Sequence, residues 1–233
     1  DMEAQMREHD IPLYALESGD PISDFDFVGF TLQYELSFTN ILNMLALGNI
    51  PLLSKDRHDL NHIVVAGGPC ACNPEPITDF IDIFFLGDGE EVDLEVIELY
   101  RDCKREGKSR EEFLRLAAQI KGVYVPSLYD VSYNDDGTIK AVTPRDGAPA
   151  VIEKRVMMNM DESYYPSDFV VPNIEIVHDR AVEEIFRGCI RGCRFCQAGF
   201  LYRPVREKSV KCISDQCRAL CENTGYDEVS LSS

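Results

Sequence analysis

The sequence is poor in basic residues. Lys and Arg number 23 against 41 Asp and Glu, a formal net charge of −18 over 233 residues. A surface of that sign repels phosphate, which excludes a general nucleic-acid coat protein. Long hydrophobic runs are lacking too: no stretch approaches the roughly 18 apolar residues that a membrane span needs. No basic-then-apolar signal segment opens the chain, and no internal repeat or low-complexity tract interrupts it. A cytoplasmic protein with no membrane partner is expected. The hydrophobic fraction of 45% is too high for a disordered chain and ordinary for a globular one. The chain opens on Asp1 and stops at Leu231-Ser232-Ser233, inside what reads as a strand. An internal piece of something longer is therefore expected.

What the chain has in plenty is cysteine. There are nine: Cys70, Cys72, Cys103, Cys189, Cys193, Cys196, Cys212, Cys217 and Cys221. An odd count without a secretion signal argues against a disulfide framework. In a reducing cytosol, clustered thiols act as ligands or nucleophiles. Six of the nine fall between residues 189 and 221, so the chemistry is expected there.

Along the chain, strands and helices alternate. Phe27–Leu32 reads as a buried strand, and Ser37 caps a helix through Ile41, Met44, Leu45 and Leu47 that Gly48 and Pro51 end. His62–Ala66 is a second strand, running into the turn Gly67-Gly68-Pro69. A short helix is expected at Pro76–Phe80 and a third strand at Ile81–Leu86, closed by Gly87-Asp88-Gly89-Glu90. Helices over roughly 90–105 and 109–120 follow. This rhythm implies a parallel sheet with helices on its faces, short of a complete unit by an N-terminal strand. Residues 122–180 read as a β-rich connector: a strand at Val123, a hairpin from Val131 to Val142 around Asn134-Asp135-Asp136-Gly137, then many prolines. From Ala181 a new unit begins, with a strand to Phe186, a Gly/Cys loop, a helix from about Ser209 to Asn223, and a strand from Glu228. That is one βαβ unit.

The loop reads Arg187-Gly-Cys189-Ile-Arg-Gly-Cys193-Arg-Phe195-Cys196-Gln-Ala-Gly199. Three thiolates spaced Cys-x3-Cys-x2-Cys on one tight loop can hold three corners of a 4Fe–4S cube. One iron is then left for a chelating small molecule. Gly188 and Gly192 let the backbone wrap closely, and loop N–H groups can tune the potential. Zinc would want a fourth ligand in tetrahedral reach, and no Cys or His follows at finger spacing.

This motif resembles the signature of the radical S-adenosylmethionine (radical SAM) superfamily. The resemblance implies Cys189, Cys193 and Cys196 as cluster ligands, with Phe195 beside the SAM adenine. It implies reductive cleavage of SAM to methionine and a 5′-deoxyadenosyl radical, with flavodoxin or ferredoxin as electron donor. The N-terminal pattern is similar to the cobalamin-binding-like domain that precedes many radical SAM barrels. There, Gly67, Gly68, Gly87 and Gly89 would border the cofactor's nucleotide tail. Read alone, the same glycines are also common turn formers. The Asp-x-His-x-x-Gly stretch that supplies an axial histidine elsewhere is missing, and His9, His58, His62 and His178 lie in other contexts. Cobalamin would then bind without a protein histidine, or the domain would be a relic.

The resulting expectation is an α/β protein. Residues 1–121 form an incomplete Rossmann-like, cobalamin-binding-like domain, and 122–180 the connector. Residues 181–233 open a radical SAM partial TIM barrel, of which a full version takes about 250 residues. Cofactors expected are a 4Fe–4S cluster, SAM and cobalamin. The expected activity of the whole protein is radical SAM chemistry, with methyl transfer by analogy and the 233 residues alone inactive. Two alternatives stay open: a methylthiotransferase-like enzyme acting on RNA, and a non-catalytic iron–sulfur module. Between Arg187 and Lys211 seven basic residues meet one acid, Glu207, a local +6 that leaves −24 for the rest. That field suits a negatively charged cluster and the SAM carboxylate, and would also meet RNA. Cys217 and Cys221, one helical turn apart, read as packing residues, as do Met157, Met158 and Met160. Glu90 and Glu91 suit a helix dipole, and Cys70 and Cys72 have no third partner for a metal.

Overall fold

The structure is a computed structural model that describes residues 2–174 and 176–233. The chain divides into two compact units, one ending at Arg155 and the other running from Val156 to Ser233.

The first unit begins with helix α1 (Met2–Glu8), then strand β1 (Phe27–Thr31), helix α2 (Phe38–Leu47) and strand β2 (Ile63–Gly67). Strand β3 (Ile83–Phe85), helices α3 (Gly89–Glu106) and α4 (Arg110–Ala117), and strand β4 (Val123–Tyr124) follow. The sheet order is β1-β2-β3-β4. The first three strands are parallel, with Val28 beside Val64 and Val65 beside Ile83. β4 closes the edge antiparallel, Phe84 beside Tyr124. The expected mixed α/β architecture with a parallel sheet is what the chain adopts.

Alternation along β2 and β3 decides which helix covers which face. Ile63 and Ile83 turn to one side and pack with Val92, Val96 and Tyr100 of α3 and Phe113 of α4. Val64 and Phe84 turn to the other and pack with Ile41 and Leu45 of α2. A helix on each face is the solution for strands apolar on both sides. Ser109 caps α4 with a reciprocal capping box, its Oγ accepting from the Glu112 amide at 3.2 Å. Where a short helix was expected at Pro76–Phe80, the chain makes only a 3-10 turn, Glu75–Ile77. Its amides reach back three residues, Ile77 to the Pro74 carbonyl at 2.9 Å and Phe80 to the Ile77 carbonyl at 3.1 Å, the pattern of a 3-10 turn.

A hairpin of β5 (Tyr129–Tyr133) and β6 (Ile139–Pro144) completes this unit, closed where the Asn134 amide donates to the Thr138 carbonyl at 2.8 Å.

The second unit holds β7 (Ala181–Glu184), β8 (Phe186–Arg187), a single-turn α5 (Ala198–Leu201), β9 (Arg206–Glu207), α6 (Val210–Thr224) and β10 (Val229–Ser232). β7 and β10 are parallel, with α6 as the crossover. The barrel is not closed. The expected strand Ala181–Phe186 breaks at Ile185. Its amide still donates to Ser232 at 2.9 Å, while its carbonyl accepts from Lys208 at 2.9 Å. Beyond it the chain changes partner, and β8 pairs antiparallel with β9.

Candidate functional site

Each unit carries a candidate site. In the second, residues 188–205 form a loop whose two ends are fastened by β8 and β9, Phe186 beside Glu207 and Arg187 beside Arg206. The fastening is reinforced by charge. Arg187 makes a two-pronged pair with Glu184, at 2.8 and 2.9 Å. Arg206 is buried, and its guanidinium donates to the carbonyls of Pro204, Met157 and Tyr202 at 3.0–3.2 Å. The Lys208 ammonium lies 2.8 Å from Glu183 and 2.8 Å from Gln216, 4.3 Å above the Tyr165 ring.

These bonds use up part of the local basic excess. Arg187, Arg206 and Lys208 are held by neighbouring acids or carbonyls, and Lys211 pairs with Asp215 at 2.6 Å. Arg191 and Arg194 stay exposed on the loop, and Arg203 lies over the Phe200 ring, 5.4 Å from its centre. The exposed positive charge left on the loop is that of Arg191 and Arg194.

The loop backbone turns at Gly188, which has φ +97°. A Cβ there would come within 2.7 Å of the Pro204 carbonyl and 2.8 Å of the Tyr202 carbonyl, so only glycine admits the returning chain. Cys189 and Cys196 are half-buried and Cys193 is exposed; all three are free thiols. Cys193 and Cys196 are linked through the backbone, the Cys196 amide donating to the Cys193 carbonyl at 3.1 Å. Phe195, between them, is 92% exposed. Among the described residues no three Cys, His, Asp or Glu side chains are gathered closely enough to grip a metal ion, this trio included. The donor set nonetheless suits an iron–sulfur cluster. It offers three unoxidised thiols within eight residues, on a loop pinned at its base and open at its tip.

Cys212, Cys217 and Cys221 lie on α6 and are half-buried. Burial pushes the Cys212 and Cys217 thiols up, as does the negative charge of Asp161 near Cys212 and of Glu183 near Cys217. A thiol held protonated is a poor ligand. The same holds for Cys70 and Cys72, both pushed up first by burial.

In the first unit, a cleft of about 400 Å³ opens at the carboxyl end of β1, β2 and β3. Gly29, Gly67, Gly68, Gly87, Gly89 and Asp93 are among its lining residues. This is where open α/β sheets take ligands. The four glycines singled out in the sequence divide into two kinds. Gly68 (φ +96°) and Gly87 (φ +105°) are required by the backbone itself. A Cβ on Gly68 would sit 3.0 Å from the Leu32 carbonyl, and one on Gly87 would collide with the Arg155 backbone. Gly67 is different: a Cβ there would meet nothing closer than Phe85 at 3.8 Å. Gly89 would meet only the Asp93 carboxylate, at 3.2 Å.

Gly29, not anticipated, behaves like Gly67, its nearest neighbour being Val65 at 3.5 Å. Its signal was a glycine inside an otherwise β-forming run, which marks a close approach by something else. Glycine in a strand interior weakens it. Gly29 and Gly67 are open to a methyl group as far as the described protein atoms are concerned. Asp93 also escaped sequence reading. Burial raises its carboxyl above the usual range, and Glu90 adds to the effect.

Residues 1–126 match the family described as "Radical SAM proteins, N-terminal". An uncharacterised protein of Methanocaldococcus jannaschii is 30% identical over 212 residues, covering 87% of this chain and 37% of that protein. The radical S-adenosylmethionine methyltransferase TsrM of Kitasatospora setae is similar over the whole chain in two structures. With tryptophan substrate and a SAM analogue bound, the TM-score is 0.50 at 16% identity over 39% of that chain. With cobalamin and a 4Fe–4S cluster bound, it is 0.53 at 13% identity over 40%. At such identity the likeness is one of fold. The chain thus spans about two fifths of the length of the proteins it resembles.

Proposed function

The chain belongs to the radical SAM proteins through its N-terminal domain, and from that premise we propose that it comes from an enzyme joining SAM cleavage to cobalamin chemistry. Cys189, Cys193 and Cys196 would hold a 4Fe–4S cluster, and Phe195 would lie against the SAM adenine. The glycine cleft would hold cobalamin. The electron donor would be a flavodoxin or ferredoxin, and the reaction a methyl transfer or a related radical step. When bound, the cluster supplies the electron that splits SAM.

The chain's own residues bind and position. The β8–β9 clasp, Arg187–Glu184 and Lys208–Glu183 fix both ends of the thiol loop. Exposed Arg191 and Arg194 supply positive charge to an anionic cluster and a substrate carboxylate. Gly29 and Gly67 add no side chains of their own to the cleft, so that a broad, flat ring could approach the sheet edge there.

The observation that carries this reading is the thiol trio on a loop closed at its base. The experiment is anaerobic iron–sulfur reconstitution of the full-length protein, followed by electron spin resonance with and without SAM. A reduced-cluster signal that shifts when SAM is added is expected. A cluster signal indifferent to SAM would remove the enzyme reading and leave an iron–sulfur carrier.

A further inference from the structure

We propose that Arg155 is a positioning residue of the glycine cleft: it fixes the loop that carries Gly87 and Gly89 and offsets two acids of α3, so that the cleft accepts a ligand bearing a phosphodiester. The inference rests on the reading that the cleft holds cobalamin, whose nucleotide tail contains one phosphodiester, and deepens it.

Arg155 acts once through its backbone and once through its side chain. Its amide donates to the Leu86 carbonyl at 2.7 Å, and its carbonyl accepts from the Asp88 amide at 3.0 Å. The residue thus lies beside Gly87 as a single parallel bridge, an added rung just past the carboxyl end of β3. The rung is tightly packed: a Cβ on Gly122 would stand 2.9 Å from the Arg155 Cβ. Gly87 and Gly89 line the cleft, and neither Arg155 nor Gly122 is among the lining residues. The loop is therefore held by residues outside the space it borders.

The side chain reaches onto α3. Its Nε donates to Glu91 Oε2 at 2.8 Å, and its Nη2 to Glu95 Oε1 at 2.6 Å. These acids stand one turn apart on the helix, where like charges repel. Among the described residues Arg155 is the only cation paired with either. Its side chain is 20% exposed, so water screens these pairs less than fully exposed ones. The amino end of a helix attracts anions through its free amides and its dipole. Glu91 in the first turn opposes that attraction, and Glu95 adds to the opposition. One guanidinium shared between them removes half of their combined charge. Asp93, at the cleft rim, is exposed to water, which weakens its field. No Lys, Arg or His lines the cleft. Tolerance for a phosphate therefore depends on the helix amides and on the cation behind the loop.

The test uses the full-length protein with two probes: hydroxocobalamin, which carries the phosphodiester, and dicyanocobinamide, which lacks the nucleotide tail. Both are followed by calorimetry. The native protein is expected to bind hydroxocobalamin at least about tenfold more tightly. Arg155→Leu keeps the backbone bonds to Leu86 and Asp88 and uncovers the two acids. It should weaken hydroxocobalamin at least about tenfold and the cobinamide by less than about threefold. Arg155→Lys, which keeps the charge, should bind hydroxocobalamin within about threefold of native. Adding Glu91→Gln and Glu95→Gln to Arg155→Leu removes the uncovered charges and should bring hydroxocobalamin back to within about threefold of native. Melting curves establish that the variants fold. Arg155→Gln, which keeps donors without the charge, gives the same contrast if Arg155→Leu does not fold. Equal weakening of both corrinoids, no weakening of either, or no recovery in the triple variant overturns the inference. A native protein that binds both probes equally tightly overturns it too, and leaves the cleft assignment standing. A native protein that binds neither probe overturns the cleft assignment, and the role of Arg155 with it.

Discussion

The Lys208 ammonium sits 2.8 Å from Glu183 Oε1, and both side chains are completely shielded from solvent. Lys208 follows directly on β9 and Glu183 lies in β7, so one ion pair ties the exit of the thiol loop to the strand that leads into it. Replacing Lys208 by Met keeps the volume and strands the carboxylate in the interior. The expected loss is about 3–5 kcal/mol, as for breaking one side of a buried pair. Combining it with Glu183→Leu removes the stranded charge and should restore most of that stability. Urea titrations of both variants decide the matter; equal losses in single and double variants would mean that packing, not charge, holds the loop.

The cysteines should divide sharply under substitution. Cys189→Ser, Cys193→Ser and Cys196→Ser in the reconstituted full-length protein are each expected to lower iron from about four per chain to below one. Cys217→Ser and Cys221→Ser should leave the iron content unchanged. Iron loss in the helix variants equal to that in the loop variants would show that α6 takes part in the cluster.

Local chemistry made part of this molecule legible in its sequence. Apolar β-branched runs announced β1 to β3, and Ser209 announced α6, where its Oγ accepts from the Cys212 amide at 3.1 Å. The Cys-x3-Cys-x2-Cys spacing named its loop without help from the structure. What stayed hidden depends on contacts between distant residues. Nothing near Lys208 says that its partner lies 25 residues earlier. Sequence alone treats Gly67 and Gly87 alike as turn formers. Only the position of Arg155 shows that one is demanded by the fold and the other is spare. Asp93 reads as an ordinary polar helix residue until the cleft beside it is seen.

That difference between glycines can be measured. Gly87→Ala must place a Cβ into the Arg155 backbone from a left-handed conformation, and about 2 kcal/mol or more of destabilisation is expected. Gly67→Ala has room and an ordinary backbone conformation, so it should be neutral or stabilising by up to about 1 kcal/mol. Thermal melts of the two variants without ligand test the contrast. A Gly67→Ala variant as damaged as Gly87→Ala would mean that the cradle at Gly67 serves the fold itself.

The tyrosines set the alkaline limit of stability. Tyr165 is pushed up to about 12, first by burial and then by the negative charge of Glu183. Burial also raises Tyr100 and Tyr124, reinforced by Asp26 and Glu75 respectively. An unfolded tyrosine loses its proton near about 10, whereas these three keep theirs when folded. Between those pH values the folded chain binds more protons, so their contribution is complete below pH 10 and falls as pH rises toward 12. The chain has no tryptophan, so phenolate absorbance can be read directly against its ten tyrosines. Part of that absorbance should appear only above pH 11, together with unfolding seen by circular dichroism. Complete ionisation by pH 10.5 with the fold intact would show that these hydroxyls are open to water.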